Sequence, residues 1–232
     1  MDLFVEEVKD EAYLDPITGK FEPFEIIEET IKVRLGSDVI VKHRVTRNGI
    51  IMPLDSIDGS AGQAMPWISK EAIRDLGPGK AYSMAWILDP VIQKKMGVDA
   101  GKTTISKQRF LALDSPAIQT GENFIAALKD WSPFGLNIVF ALLSGDIGYQ
   151  ATGVFPKRNH NVVQGVYAKL ASKPENLWTG ILTSDDLPYV VNPEKGYIVN
   201  TNNRIASHRM KHGVSHNLFF SHRAVRISEL LE

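Results

Sequence analysis

The sequence predicts a mixed α/β fold. Three observations carry this: apolar stretches of strand length, Gly/Asn/Asp/Pro turn signals that fold such stretches back as hairpins, and segments with helical apolar spacing between and after them. Taken in order, residues 31–35 and 39–45 read as two strands, with Val39, Val41, His43 and Val45 on one face and Gly36-Ser37-Asp38 as the turn between them. Residues 55–81 are rich in Gly, Ser and Pro, with one short helix expected near 69–76, and suit a segment that wraps a surface or lines a channel. Residues 120–131 predict a helix: Thr120 can cap it, and Phe124, Leu128 and Trp131 recur at i, i+4 and i+7 until Pro133-Phe134-Gly135 breaks it. The apolar run 137–143 predicts a buried strand, turned at Ser144-Gly145-Asp146 and returning over 147–153. Residues 189–191 and 197–201, joined by Asn192-Pro193-Glu194-Lys195-Gly196, predict another strand-turn-strand unit, and 222–231 a short amphipathic helix.

Composition narrows the function. A net charge of -1 over 232 residues, with basic residues scattered among acids, gives no footprint for nucleic acid. The absence of cysteine removes disulfides, thiol catalysis and thiolate metal sites, and leaves the compartment open. No apolar run approaches the ~20 residues of a membrane span, and the acidic, mixed N-terminus is not a signal peptide.

Several segments, in consistent order, resemble the penicillin acylase family of N-terminal-nucleophile amidases. These are NIVFALLSGDIGYQATGVFPKR (137–158); a Trp178–Gly180 pair followed by DLPYVVNPEKGYIVNTNNRI (186–205); HRAVRISELLE (222–232); and, less closely, Asp2-Leu3-Phe4-Val5-Glu6, Glu29-Thr30-Ile31-Lys32-Val33 and Thr46-Arg47-Asn48-Gly49. The resemblance covers nearly the whole chain. It implies an α+β fold, part of the four-layer αββα sandwich with mostly antiparallel sheets, and makes residues 1–232 a single segment of the large-subunit catalytic domain. In the family a serine at the large subunit's N-terminus is the nucleophile and its own amine the base. That serine and its strand come before the segment matching Asp2-Leu3-Phe4, so the nucleophile-bearing segment and the small subunit are expected partners. The expected substrate is a small linear amide, either a β-lactam side-chain amide or an N-acyl-homoserine lactone.

The resemblance also assigns site residues. Asn202, first of the asparagine pair, corresponds to the side-chain amide that donates to the tetrahedral oxyanion; read without the family, Asn202 and Asn203 close a turn. Arg223 corresponds to an arginine near the nucleophile's amine, while a solvated helix cation is the alternative for it and for Arg226. Asp2 corresponds to a ligand of a structural calcium. Two features argue against calcium in this chain: the second expected aspartate falls at His212 or Gly213, and Asp2 stands at the terminus, where disorder is the default. No other cofactor is expected. His208, His212, His216 and His222 are spaced as one helical face would require for zinc, but Gly213 interrupts them and no carboxylate follows until Glu229. Leu142 stands where the family usually has an aspartate. An interaction domain that keeps the scaffold without the chemistry, and one part of a split acylase, are the competing readings.

Overall fold

In the computed structural model the described residues are 1–52, 76–87, 89–98, 113–129, 135–159, 168–182, 184–203 and 221–232. Their strands are β1 (Asp2–Lys9), β2 (Ala12–Asp15), β3 (Lys20–Pro23), β4 (Glu25–Ile31), β5 (Val39–Val45), β6 (Ile50–Ile51), β7 (Lys80–Ala85), β8 (Leu136–Ala141), β9 (Ile147–Thr152), β10 (Phe155–Lys157), β11 (Lys169–Leu170), β12 (Gly180–Leu182) and β13 (Tyr189–Val191). Their α-helices are α1 (Pro90–Lys95), α2 (Gly121–Leu128) and α3 (His222–Leu231). Strand pairing is antiparallel throughout except for β1 with β11, so the fold is mixed α/β with mostly antiparallel sheets, as expected. The chain divides into two compact units, Met1–Lys95 with Asn161–Trp178, and Met96–His160 with Thr179–Glu232.

The first unit is one eight-stranded sheet, ordered β3-β2-β1-β7-β6-β5-β4, with β11 also paired to β1. Strand β1 pairs with β2, β7 and β11, and its two faces meet different cores. Phe4 packs with Ala85, Ala171 and Leu177, while Leu3 on the opposite face packs with Tyr82. Asp2 therefore lies in a strand and is buried, correcting the expectation of a disordered terminus. The hairpin predicted from residue 31 onward exists, but its first strand is β4, upstream of the predicted 31–35. Ile31 pairs with Val39, and the connection is 32–38. The cross-strand ion pair Lys42–Glu28 at 2.8 Å and the His43–Glu29 contact at 3.3 Å accompany that register, which alternation in the connection does not reveal. At the β5–β6 turn a Cβ on Gly49 would stand 2.2 Å from the Met84 carbonyl oxygen, so only glycine fits.

Beneath this turn lies Glu6, whose side chain reaches no solvent. Its Oε1 accepts hydrogen bonds from Thr46 Oγ1 (2.8 Å), Ser83 Oγ (2.5 Å) and Asn48 Nδ2 (3.1 Å), while Oε2 has no partner among the described residues. Burial pushes the Glu6 carboxyl above its ordinary range and outweighs those donors. The neighbouring Asp15 goes the other way. Burial would raise it, but hydrogen bonds from Arg47 Nε (2.6 Å) and the Ile17 and Thr18 amides hold it below the usual range.

The second unit contains a three-stranded sheet, β13-β9-β8, and a two-stranded one, β10-β12. Thr120 caps α2 by accepting from the Asn123 amide, as the sequence predicts, and the helix ends at Leu128; Trp131 and Phe134 lie outside the described residues. The predicted pairing of 137–143 with 147–153 holds as β8 with β9. Its burial does not: among the described residues β8 is at the edge of its sheet and only Phe140 in it is buried, while Leu143 at the turn is fully exposed. Phe140 stacks on Phe124 with ring centroids 4.3 Å apart and lies across Gly148, where a Cβ would meet the ring at 2.1 Å. Residues 189–191 form β13, but 197–200 take no strand pairing, so that strand expectation is corrected. Helix α3 spans the predicted 222–231. The helix expected near 69–76 falls almost entirely outside the described residues.

Candidate functional site

The turn that follows the NPEKGYI segment brings Asn202 against the first turn of α3. Arg223 is the second residue of that helix. Its Nη2 donates to Asn202 Oδ1 at 3.1 Å and also to the Thr201 carbonyl oxygen, although the residues are 21 apart in sequence. A guanidinium has donors only, so it must take the oxygen of the Asn202 amide. That fixes the amide's orientation and leaves Nδ2, with its two hydrogens, as the outward group. Both Asn202 and Arg223 are exposed among the described residues.

The backbone makes the same arrangement from below. Asn202 has a left-handed φ of 64°, a conformation asparagine tolerates better than most residues. Its amide donates to Asn200 Oδ1 at 3.3 Å, while Asn203 Oδ1 accepts from the Thr201 amide (2.9 Å) and hydroxyl (3.1 Å). Three asparagines thus hold one turn, each through its side-chain oxygen. The turn role read from residue type and the donor role implied by the resemblance are compatible in this geometry. Asn200, not singled out from the sequence, has a buried Nδ2 with no partner among the described residues. The Asn-x-Asn-Asn spacing was its signal. Tyr197 secures the other end of α3 by donating its hydroxyl to Glu232 Oε1 at 3.0 Å.

The two motifs nearest this turn in the resemblance prove to be joints. Asp146 of the GDIGY hairpin accepts from the Gly121 amide at the start of α2 and from Asn192 Nδ2, both at 2.8 Å. Asn192 Oδ1 in turn accepts from the Ile147 amide at 3.0 Å. Hydrogen bonds from Asn192 and Gly121 hold the Asp146 carboxyl below its ordinary range. One carboxylate therefore ties the β8–β9 turn, the end of β13 and the positive end of α2 together.

Asp2 lies in the first unit. Trp178 Nε1 donates to its Oδ2, and the Lys169 ammonium stands 3.2 Å from its Oδ1. His222 is exposed at the start of α3, while His208, His212 and His216 lie outside the described residues. Among the described residues no three His, Asp or Glu side chains gather as a metal site would require. No described helix is long and apolar enough to cross a membrane.

The chain belongs to the penicillin amidase family, whose model matches residues 1–232. It is 26% identical over 233 residues to the acyl-homoserine lactone acylase QuiP of Pseudomonas syringae pv. syringae, covering 99% of this chain and 24% of that protein. A thermostable penicillin G acylase from Alcaligenes faecalis shares the fold, with a TM-score of 0.65 at 20% identity over 99% of this chain and 35% of that one. The chain thus spans about a quarter of the curated relative's length and about a third of the solved chain's.

Proposed function

We propose that this chain is a segment of the catalytic domain of an acylase that hydrolyses the C–N bond of small linear amides. In this reading Asn202 Nδ2 donates to the oxyanion that forms when the carbonyl is attacked, and Arg223 positions that amide. The observation that supports it is the Arg223 Nη2 contact to Asn202 Oδ1. It fixes which end of the amide faces outward, and it polarises the amide so that its N–H groups donate more strongly. A neutral donor suits the task, because it stabilises charge as it develops without holding a charged product.

The attacking group is proposed to be an N-terminal serine with its own amine as base, supplied by the part of the family's chain that these residues do not match or by a separate complementing chain. The acyl group is that of a penicillin-type amide or an N-acyl-homoserine lactone, the two chemistries named in the relatives.

The test is an acyl-anilide assay that reads release of the chromogenic amine. Residues 1–232 alone should give background turnover, because an oxyanion donor without a nucleophile has nothing to stabilise. Fused to or co-expressed with an upstream segment that begins with serine, they should turn over substrate. Asn202→Ala in that assembly should lower kcat by about a hundredfold or more, with a smaller change in KM. A variant with kcat intact would remove Asn202 from the chemistry.

A further inference from the structure

We infer that Lys169 is the resident cation of Asp2, an internal ammonium standing where the family resemblance implies a calcium ion. The Asp2 side chain is 0% exposed and that of Lys169 5%, so neither charge is accommodated by water. A carboxylate so buried needs a positive partner or strong donors. Here each oxygen has its own: Oδ1 faces the Lys169 ammonium at 3.2 Å, and Oδ2 accepts from the Trp178 indole.

The backbone places these groups deliberately. β11 runs parallel to β1 with Lys169 opposite Phe4, and Asp2 shares the face of β1 on which Phe4 lies. The lysine stem is buried beside the strand, and its Nζ is 5.9 Å from the centroid of the Phe4 ring, which adds cation–π attraction.

The donor set does not suit calcium. A calcium ion takes six to eight oxygens at about 2.3–2.6 Å. Among the contacts of Asp2 are an ammonium 3.2 Å from Oδ1 and an indole N–H that donates to Oδ2, and neither group can ligate a metal. A divalent ion on Oδ1 would be held within a few ångströms of the ammonium charge, in a site closed to screening solvent. The lysine neutralises the buried aspartate and ties β11 to β1, which is the structural work an ion would do. This sheet should therefore need no divalent metal.

The experiment compares the native chain with Lys169→Met, Lys169→Arg and the double variant Asp2→Asn/Lys169→Met. For the native chain, melting should be the same in EDTA and in excess calcium. Terbium, whose emission Trp178 would sensitise if it bound beside Asp2, should give no signal that Asp2→Asn removes. Lys169→Met removes the ammonium beside a buried carboxylate and should lower Tm by about 10 °C. Lys169→Arg, which keeps the charge, should lose less, and the double variant should recover part of the loss and remain folded even if the single one does not. A fall in Tm on adding EDTA, an Asp2-dependent terbium signal, or equal losses for the methionine and arginine variants would overturn the inference.

Discussion

Gly148→Ala is the sharpest test of how the β8–β9 hairpin works. The added methyl would stand 2.1, 2.5 and 2.8 Å from Cζ, Cε1 and Cε2 of Phe140, well inside any permitted contact. Gly148 and Phe140 are directly paired across β8 and β9, so the backbone cannot slide to relieve the clash without breaking the ladder. The ring must leave its place. It then loses its stack on Phe124, worth about 1 kcal/mol, and much of the roughly 2 kcal/mol of its burial. The expected cost is about 3 kcal/mol, or a Tm lower by about 6–12 °C for a protein of this size. Phe140→Ala alone should cost roughly 3–5 kcal/mol. Once the ring is gone, adding Gly148→Ala should be nearly neutral, because alanine is accepted in a strand better than glycine. Urea denaturation followed by far-UV circular dichroism measures all four corners of this cycle. Additive losses, with no coupling between the two sites, would refute the claim that Gly148 exists to admit Phe140.

Two further outcomes follow from the first unit. Gly49→Ala sets a methyl against main-chain atoms that cannot rotate away, the Met84 carbonyl at 2.2–2.4 Å, and should cost at least the ~1–3 kcal/mol of an overpacked site in thermal or urea denaturation. Glu6 has its folded carboxyl raised above 4.5, so the folded chain holds that proton more tightly than the unfolded one. Its contribution is greatest below about pH 4.5 and declines as pH rises through the raised value. Stability of the native chain relative to Glu6→Gln should therefore fall from acid to neutral pH in urea titrations; a relative rise would show the carboxylate to be the preferred form.

What the sequence disclosed was local. The α2 cap, the β8–β9 hairpin and α3 each rest on a period or a turn signal within a dozen or so residues, and each stands where those signals put it. The displaced first strand of the β4–β5 hairpin shows the limit of such signals. Residues 32–35 alternate as a strand does, but pairing is decided by partners across the sheet, and Ile31 meets Val39. Burial of 137–143 was over-read for a related reason, since an apolar strand is buried only if something covers it, and among the described residues β8 is at an edge. Asp2 was least legible of all. Its partners Lys169 and Trp178 are distant in sequence, and neither matches a metal-site pattern or the motif around Asp2.

The asparagine turn shows why residue type alone left two readings of Asn202 open, and why the two are compatible. The position needs a residue that accepts a φ of 64°. Glycine and aspartate also accept it, but glycine has no side chain to offer, and an ionised aspartate offers only acceptors. Asparagine alone of the three combines the turn with neutral N–H donors. Its second atom matters equally: Oδ1 receives Arg223, so the amide cannot flip without setting its NH2 against a guanidinium. On the proposed reading, Arg223 acts on the reaction through Asn202, by deciding which end of one amide meets the substrate. Two joints set that geometry at opposite ends of the same turn. One is the asparagine side-chain bonds at 200–203, and the other is α3, pinned by Arg223 at its start and by the Tyr197–Glu232 bond at its end. A donor that must be in place before charge develops gains most from such bracing, because its reorganisation has already been completed by folding.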